Sequence, residues 1–92
     1  MKDKICVENQ TIKYEIELNK PDIIDKLVWL KDGIEIDFTQ MKDKYEIKAN
    51  GNKYSLTLKN VKFADEGKYT VNVRGSNVNS SANLSVTGIF IN

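Results

Sequence analysis

The chain has 92 residues, with 14 basic and 13 acidic side chains, a net charge of +1, and 29% of its residues charged. That length makes one domain and one modest core, since a chain of this size buries roughly 60% of its unfolded surface. The charge balance argues against a nucleic-acid or anionic-membrane surface, which needs a basic patch, and no apolar run approaches the ~20 residues of a membrane-spanning helix. The only cysteine is Cys6, so no intramolecular disulfide can form, and there is no histidine to act as general base or metal ligand.

Lys2 to Val7 reads as a first strand, with Ile5 and Val7 on one face and Cys6 on the other. Glu8-Asn9-Gln10 is a turn. Thr11 to Leu18 alternates cleanly, with Ile12, Tyr14, Ile16 and Leu18 apolar between polar neighbours, as a half-buried strand requires. A helical period would scatter those four positions around the axis. Asn19-Lys20-Pro21-Asp22 is a loop stopped by the only proline, and Ile23 and Ile24 are expected to cover one end of the core. Lys26 to Leu30 is a strand that turns Leu27 and Trp29 inward. Lys31-Asp32-Gly33 is a turn, and Ile34-Glu35-Ile36 a short edge strand. Residues 37–44 read as an irregular connection with Phe38 and Met41 tucked beneath it.

Asn50-Gly51 predicts a type I′ hairpin turn, because both residues tolerate positive φ. The strand leading in starts at Tyr45, and the return strand, Lys53 to Leu58, places Tyr54, Leu56 and Leu58 on one face. Asn60 to Gly67 crosses to a second sheet, anchored by Val61 and Phe63. Lys68 to Arg74 points Tyr69, Val71 and Val73 inward; Gly75-Ser76-Asn77 turns the chain; Ser80 to Thr87 returns with Ala82, Leu84 and Val86 inward. Gly88-Ile89-Phe90-Ile91 is an apolar tail. Seven or eight short strands at this spacing predict an all-β sandwich or barrel. Residues 1–92 are read as a single domain, with the core about 4–87 and the tail 88–92.

Trp29 followed by Lys31-Asp32-Gly33, then Tyr54 to Asn60, then Asp65-Glu66-Gly67-Lys68-Tyr69 resembles an immunoglobulin domain of the intermediate (I-set) type, from Val7 to Val86. The resemblance implies a Greek-key β-sandwich of two antiparallel sheets, with Trp29 buried and Tyr69 at a tyrosine corner that hydrogen-bonds back to the backbone near Asp65. Gly67 would permit that corner. The family's two core cysteines would fall at Ile16 and Val71, both aliphatic here and expected to pack against Trp29 instead. A disulfide is typically worth ~2–5 kcal/mol and a buried aliphatic about 1.5–3 kcal/mol, so the exchange needs no oxidising compartment. Cysteine-poor I-set domains are similar to those of the giant intracellular muscle proteins of the titin, twitchin, obscurin and myosin-binding protein C type. Tyr14 to Asp22 looks particularly like titin I-band domains.

Candidate chemistry is thin. Asp22, Asp25, Asp32, Asp37, Asp43 and Asp65 fall in different predicted loops, whereas calcium needs a closely spaced set of oxygens; they read as solvated turn residues. Cys6 reads as a quiet thiol near a sheet edge. Asn9-Gln10-Thr11, Asn79-Ser80-Ser81 and Asn83-Leu84-Ser85 match the glycosylation acceptor pattern, against a background rich in Asn and Ser. Lys42, Lys44, Lys48 and Lys53 read as a mixed solvated surface. No cofactor, metal or catalytic residue is expected.

The expectation is a non-enzymatic structural and protein-binding module, one link of a tandem array, giving spacing, elasticity and partner docking. The implied partners are neighbouring immunoglobulin-like or fibronectin-type domains and sarcomeric or cytoskeletal proteins, with no nucleic acid and no membrane. The domain is expected to be monomeric in isolation and cytoplasmic in the cell. The resemblance also implies a clamp between residues near Lys4 to Val7 and residues near Asn83 to Thr87, in which Val7→Pro would remove a ladder donor. The alternative is an extracellular adhesion or receptor domain.

Overall fold

Alternating apolar positions build two stacked sheets. The computed structural model describes residues 1–19 and 26–88; the expectations for Pro21, Asp22, Ile23, Ile24, Asp25 and the tail from Ile89 fall outside them. Among the described residues the strands are β1 (Lys4–Val7), β2 (Ile12–Glu17), β3 (Leu27–Lys31), β4 (Ile34–Glu35), β5 (Tyr45–Asn50), β6 (Lys53–Leu58), β7 (Gly67–Val73) and β8 (Asn79–Thr87), with a short 3-10 turn at Phe63–Asp65. The order is β1-β8-β7-β3-β4 in one sheet and β2-β6-β5 in the other. The all-β sandwich is therefore borne out. Pairings are antiparallel except at one edge, where β1 runs parallel to β8.

The period-two reading sorts the side chains. Tyr14, Trp29, Tyr54, Leu56, Leu58, Tyr69, Val71, Ala82, Leu84 and Val86 are all buried. Trp29 lies directly across the β3–β7 ladder from Val71, so the two share the inner face of the larger sheet. The sheets are also joined by side chains. The Tyr14 ring stacks on Tyr69 at 5.7 Å between centroids, and its hydroxyl donates to the Asn83 carbonyl at 3.0 Å.

Three local expectations are corrected. The β5–β6 hairpin pairs Asn50 with Lys53, so its loop is Gly51-Asn52, not Asn50-Gly51. Only Gly51 has positive φ there, at +63°, which is the II′ pattern with glycine first rather than I′. Both registers keep Tyr45 and Ile47 facing inward. The expected register would oppose Lys48 to Lys53, a destabilising like-charge pair, whereas the observed one opposes Lys48 to Ser55. Phe63 does not anchor the crossing; it is 49% exposed, and Val61 alone is buried. Met41 is 43% exposed while Phe38 packs against the core, edge-on to Tyr45 at 6.1 Å. A connection with no period gives no signal of which apolar residue faces in.

Candidate functional site

The segment leading into β7 is held by one carboxylate. Asp65 is 8% exposed. Its Oδ2 accepts the Lys62 backbone N–H at 2.7 Å and Lys44 Nζ at 2.5 Å, and Lys44 also donates to the Asn60 carbonyl at 3.0 Å. A buried charge of this kind is tolerated because it is paired and hydrogen-bonded. Tyr69 Oη donates to the Asp65 carbonyl at 2.7 Å, closing the corner onto the backbone four residues upstream. Burial pushes the Tyr69 hydroxyl well above its ordinary range, reinforced by neighbouring Tyr45 and Asp65. Tyr69 is thus a neutral donor at any physiological pH.

Gly67 has φ +150°, a conformation that disfavours side chains. A Cβ at that position would lie 2.6 Å from Asp32 Oδ2. The close approach has a purpose: Asp32 Oδ1 accepts the Lys68 N–H at 2.9 Å, and the Asp32 N–H donates to the Lys68 carbonyl at 2.8 Å. The Lys68 N–H, followed by Lys31, holds the Asp32 carboxyl below its ordinary range. Asp32 and Gly33 have φ of +52° and +84°, the paired positive values of an I′ turn. The β3–β4 turn and the corner are therefore one unit.

The terminal strands form the second element. Lys4, Ile5, Cys6 and Val7 pair in parallel with Leu84, Ser85, Val86 and Thr87. The Glu8 N–H extends the ladder to the Thr87 carbonyl at 2.9 Å. Asp3 Oδ1 closes the other end by accepting the Asn83 N–H at 2.8 Å. The Val7 N–H points away from β8 and donates to Gln10 Oε1 at 2.8 Å. The Val7→Pro reading is thus corrected: alternate residues face the partner, and the ladder donor is Glu8.

The remaining candidates separate. Ile16, half-buried, and Val71, buried, both border one cleft between the sheets. Cys6 is buried, and burial, with Asp65 adding and Lys44 opposing, pushes its thiol up; a raised pKa leaves little thiolate to react. Asp37 is taken by Thr39, whose hydroxyl donates at 2.6 Å and holds its carboxyl down. Among the described residues no group of three or more His, Cys, Asp or Glu converges on a metal-sized site. Lys44 is the residue the sequence reading misplaced: it turns in to Asp65, while Lys48 stays exposed beside Glu46 at 3.0 Å.

With two sheets, a buried tryptophan and a tyrosine corner in place, sequence comparison decides the family. Residues 3–87 match the Immunoglobulin I-set domain. The chain is an I-set immunoglobulin domain. It is 42% identical over 81 residues, 88% of its length, to the titin homolog of Caenorhabditis elegans, and 44% identical over 61 residues to cardiac-type myosin-binding protein C of Gallus gallus. It spans a share of the first that rounds to 0% and 4% of the second. Domain I10 of titin superposes with a TM-score of 0.83 at 31% identity, covering 95% of this chain and 91% of that one. The I9–I11 tandem of titin gives 0.83 at 32% identity, covering 96% of this chain and 31% of that one. This I-set domain is accordingly a non-catalytic module, similar to the domains of titin, the titin homolog and myosin-binding protein C.

Proposed function

We propose that this I-set domain is a load-bearing link of a tandem array in a sarcomeric or cytoskeletal protein, giving spacing, elasticity and partner docking. Its partners would be neighbouring immunoglobulin-like or fibronectin-type domains and cytoskeletal proteins, and its compartment the cytoplasm. The observation that carries the reading is the parallel β1–β8 pairing. It joins the two terminal strands of the domain. Tension applied along the chain pulls β1 and β8 in opposite directions, so their hydrogen bonds load together in shear. Two further observations support it: similarity to titin fragments solved as tandems, and a sandwich whose single cysteine is buried.

Force spectroscopy on a polyprotein of this domain tests it. Glu8→Pro deletes the N–H that reaches Thr87 and lowers the peak unfolding force. Val7→Pro deletes only the bond to Gln10 and lowers it less. Equal forces for Glu8→Pro and the parent would refute the clamp.

A second reading, an extracellular adhesion or receptor domain, draws on the exposure of Asn9, Asn79 and Asn83, each in an acceptor triplet. Secretion from a eukaryotic cell followed by mass measurement separates the two. Glycan mass on these asparagines favours the second reading, and its absence favours the first.

A further inference from the structure

The corner end carries a feature that the clamp does not use. A groove of about 450 Å³ opens between the β3–β4 turn, the connection to β5 and the 3-10 turn. Its apolar wall is formed by Ile34, Ile36, Met41 and Tyr45. Ile34 is 74% exposed and Met41, which lines the same groove, is exposed as well. Isolated exposed apolar residues need no explanation, but grouped ones that flank a concavity mark contact sites. The volume lies within the range of ligand-sized clefts.

The polar lining is predominantly acidic. Asp32, Glu35, Asp37 and Asp65 all contribute, against Lys31 as the single cation in the lining. Asp65 is spent on Lys44 and Lys62. The side chains of Asp32 and Glu35 are 53% and 63% exposed. Their internal partners leave acceptor positions open. Lys31 sits 3.4 Å from Asp32, and Arg74 reaches Glu35 only at 3.8 Å. Asp32 and Asp37 are held below the ordinary carboxylate range by the donors described above, so they stay ionised at neutral pH. The chain as a whole carries +1, so this negative rim is local rather than a reflection of net charge.

We propose that this groove is a docking site for an extended basic–apolar protein segment, with a large apolar side chain against Ile34 and Met41 and flanking Arg or Lys side chains on Asp32 and Glu35. Charge complementarity selects that occupant. An acidic or purely apolar segment would leave the rim unpaired, and a second copy of this chain would bring the same acidic rim against itself in an isologous contact. Arginine suits the rim because its planar fork pairs with carboxylates in two bonds. The site is separate from the β1–β8 pairing, so the load-bearing reading can fail without touching it.

The test uses the intact domain and a short dye-labelled peptide of alternating arginine and leucine, titrated by fluorescence anisotropy at physiological salt. Saturable one-to-one binding is expected, weakened about tenfold or more by Glu35→Lys and severalfold by Ile34→Ser. Both positions are exposed, and thermal melts of the variants are expected to match the parent. Glu15→Lys, on the outer face of the other sheet, is expected to leave binding unchanged. Equal binding of a peptide with serine for leucine, or equal loss in Glu15→Lys, would reduce the effect to bulk charge and overturn the proposal. So would sedimentation showing a dimer that Ile34→Ser dissolves, because the groove would then be an interface between copies.

Discussion

At the corner end, Asp65, Lys44, Lys62 and Tyr69 are joined by directional bonds of 2.5 to 2.7 Å. At the opposite end, Ile16 and Val71 border a cleft of about 310 Å³, walled by Met1, Leu18, Val73 and Val78. Both ends hold the same two sheets together, by different means. The corner relies on buried polar groups, each of which becomes costly if its partner is removed. The cleft end relies on apolar contact between the two positions at which the resemblance would put core cysteines, and that contact is incomplete because Ile16 is only half-buried. The corner should therefore be brittle to substitution and the cleft tolerant.

The largest break is expected at Asp65. Asp65→Ala strips Lys44 of its carboxylate and leaves the Lys62 N–H without its acceptor. Buried pairs broken from one side cost about 3–5 kcal/mol. Here Lys44 remains about a fifth exposed and keeps the Asn60 carbonyl, which argues for the lower figure, about 3 kcal/mol. Urea denaturation measures it directly. A midpoint within error of the parent would mean that the corner is decoration rather than a fastening.

Titration probes the stacked tyrosines between the sheets without mutation. The Tyr14 hydroxyl is pushed up to about 12 from 10, first by burial and then by Asp3 and Cys6. In the unfolded chain this group loses its proton first, so the folded state binds more protons between pH 10 and 12. Stability is whole below pH 10 and falls as pH rises through that window, by on the order of 2 kcal/mol for a shift of this size. Tyr69 shifts in the same direction and steepens the fall. Denaturation midpoints that stay level from neutral pH to pH 12 would contradict the burial of these rings.

A matched pair of enlargements compares the ends under one chemistry. Val61 is fully buried near the corner, so Val61→Phe overpacks and should cost about 2–3 kcal/mol. Ile16→Phe grows toward the cleft and should cost less than about 0.5 kcal/mol. Equal losses by calorimetry would erase the distinction.

How much of this was legible in the sequence depends on range. The strands and the inward sets Tyr69-Val71 and Leu84-Val86 follow from period two, which any short window displays. The corner was legible because its glycine, aspartate and tyrosine lie within five residues. Lys44 was not. In Lys42-Asp43-Lys44 nothing local distinguishes the lysine that turns inward, and its partner lies 21 residues away. Asp32 read as a turn residue, yet it also accepts from Lys68, 36 residues on. The β5–β6 register escaped because Asn-Gly and Gly-Asn are both good hairpin loops, and the choice rests on which side chains meet across the strands. The acidic groove was invisible for the same reason: its walls come from separate segments, each ordinary by itself.

The finest test of the comparison is a single oxygen. Tyr69→Phe keeps the ring against Tyr14 and removes only the hydroxyl that donates to the Asp65 carbonyl. A typical net hydrogen bond contributes about 1 kcal/mol, and an orphaned buried carbonyl adds to that. The loss should therefore be about 1–2 kcal/mol, below Asp65→Ala because both charges of the Asp65–Lys44 pair stay in place. The control is Tyr14→Phe, which removes the hydroxyl bonded to Asn83, a tie between the sheets rather than within the corner. If the corner acts as a unit, Tyr69→Phe combined with Asp65→Ala costs less than the sum of the two single changes, because the alanine has already loosened the turn that positions the carbonyl. Tyr14→Phe combined with Asp65→Ala should instead add. Additivity in both double variants would show the corner to be a set of independent contacts. A coupling of about 0.5 kcal/mol or more in the first alone would separate it from the rest of the sandwich.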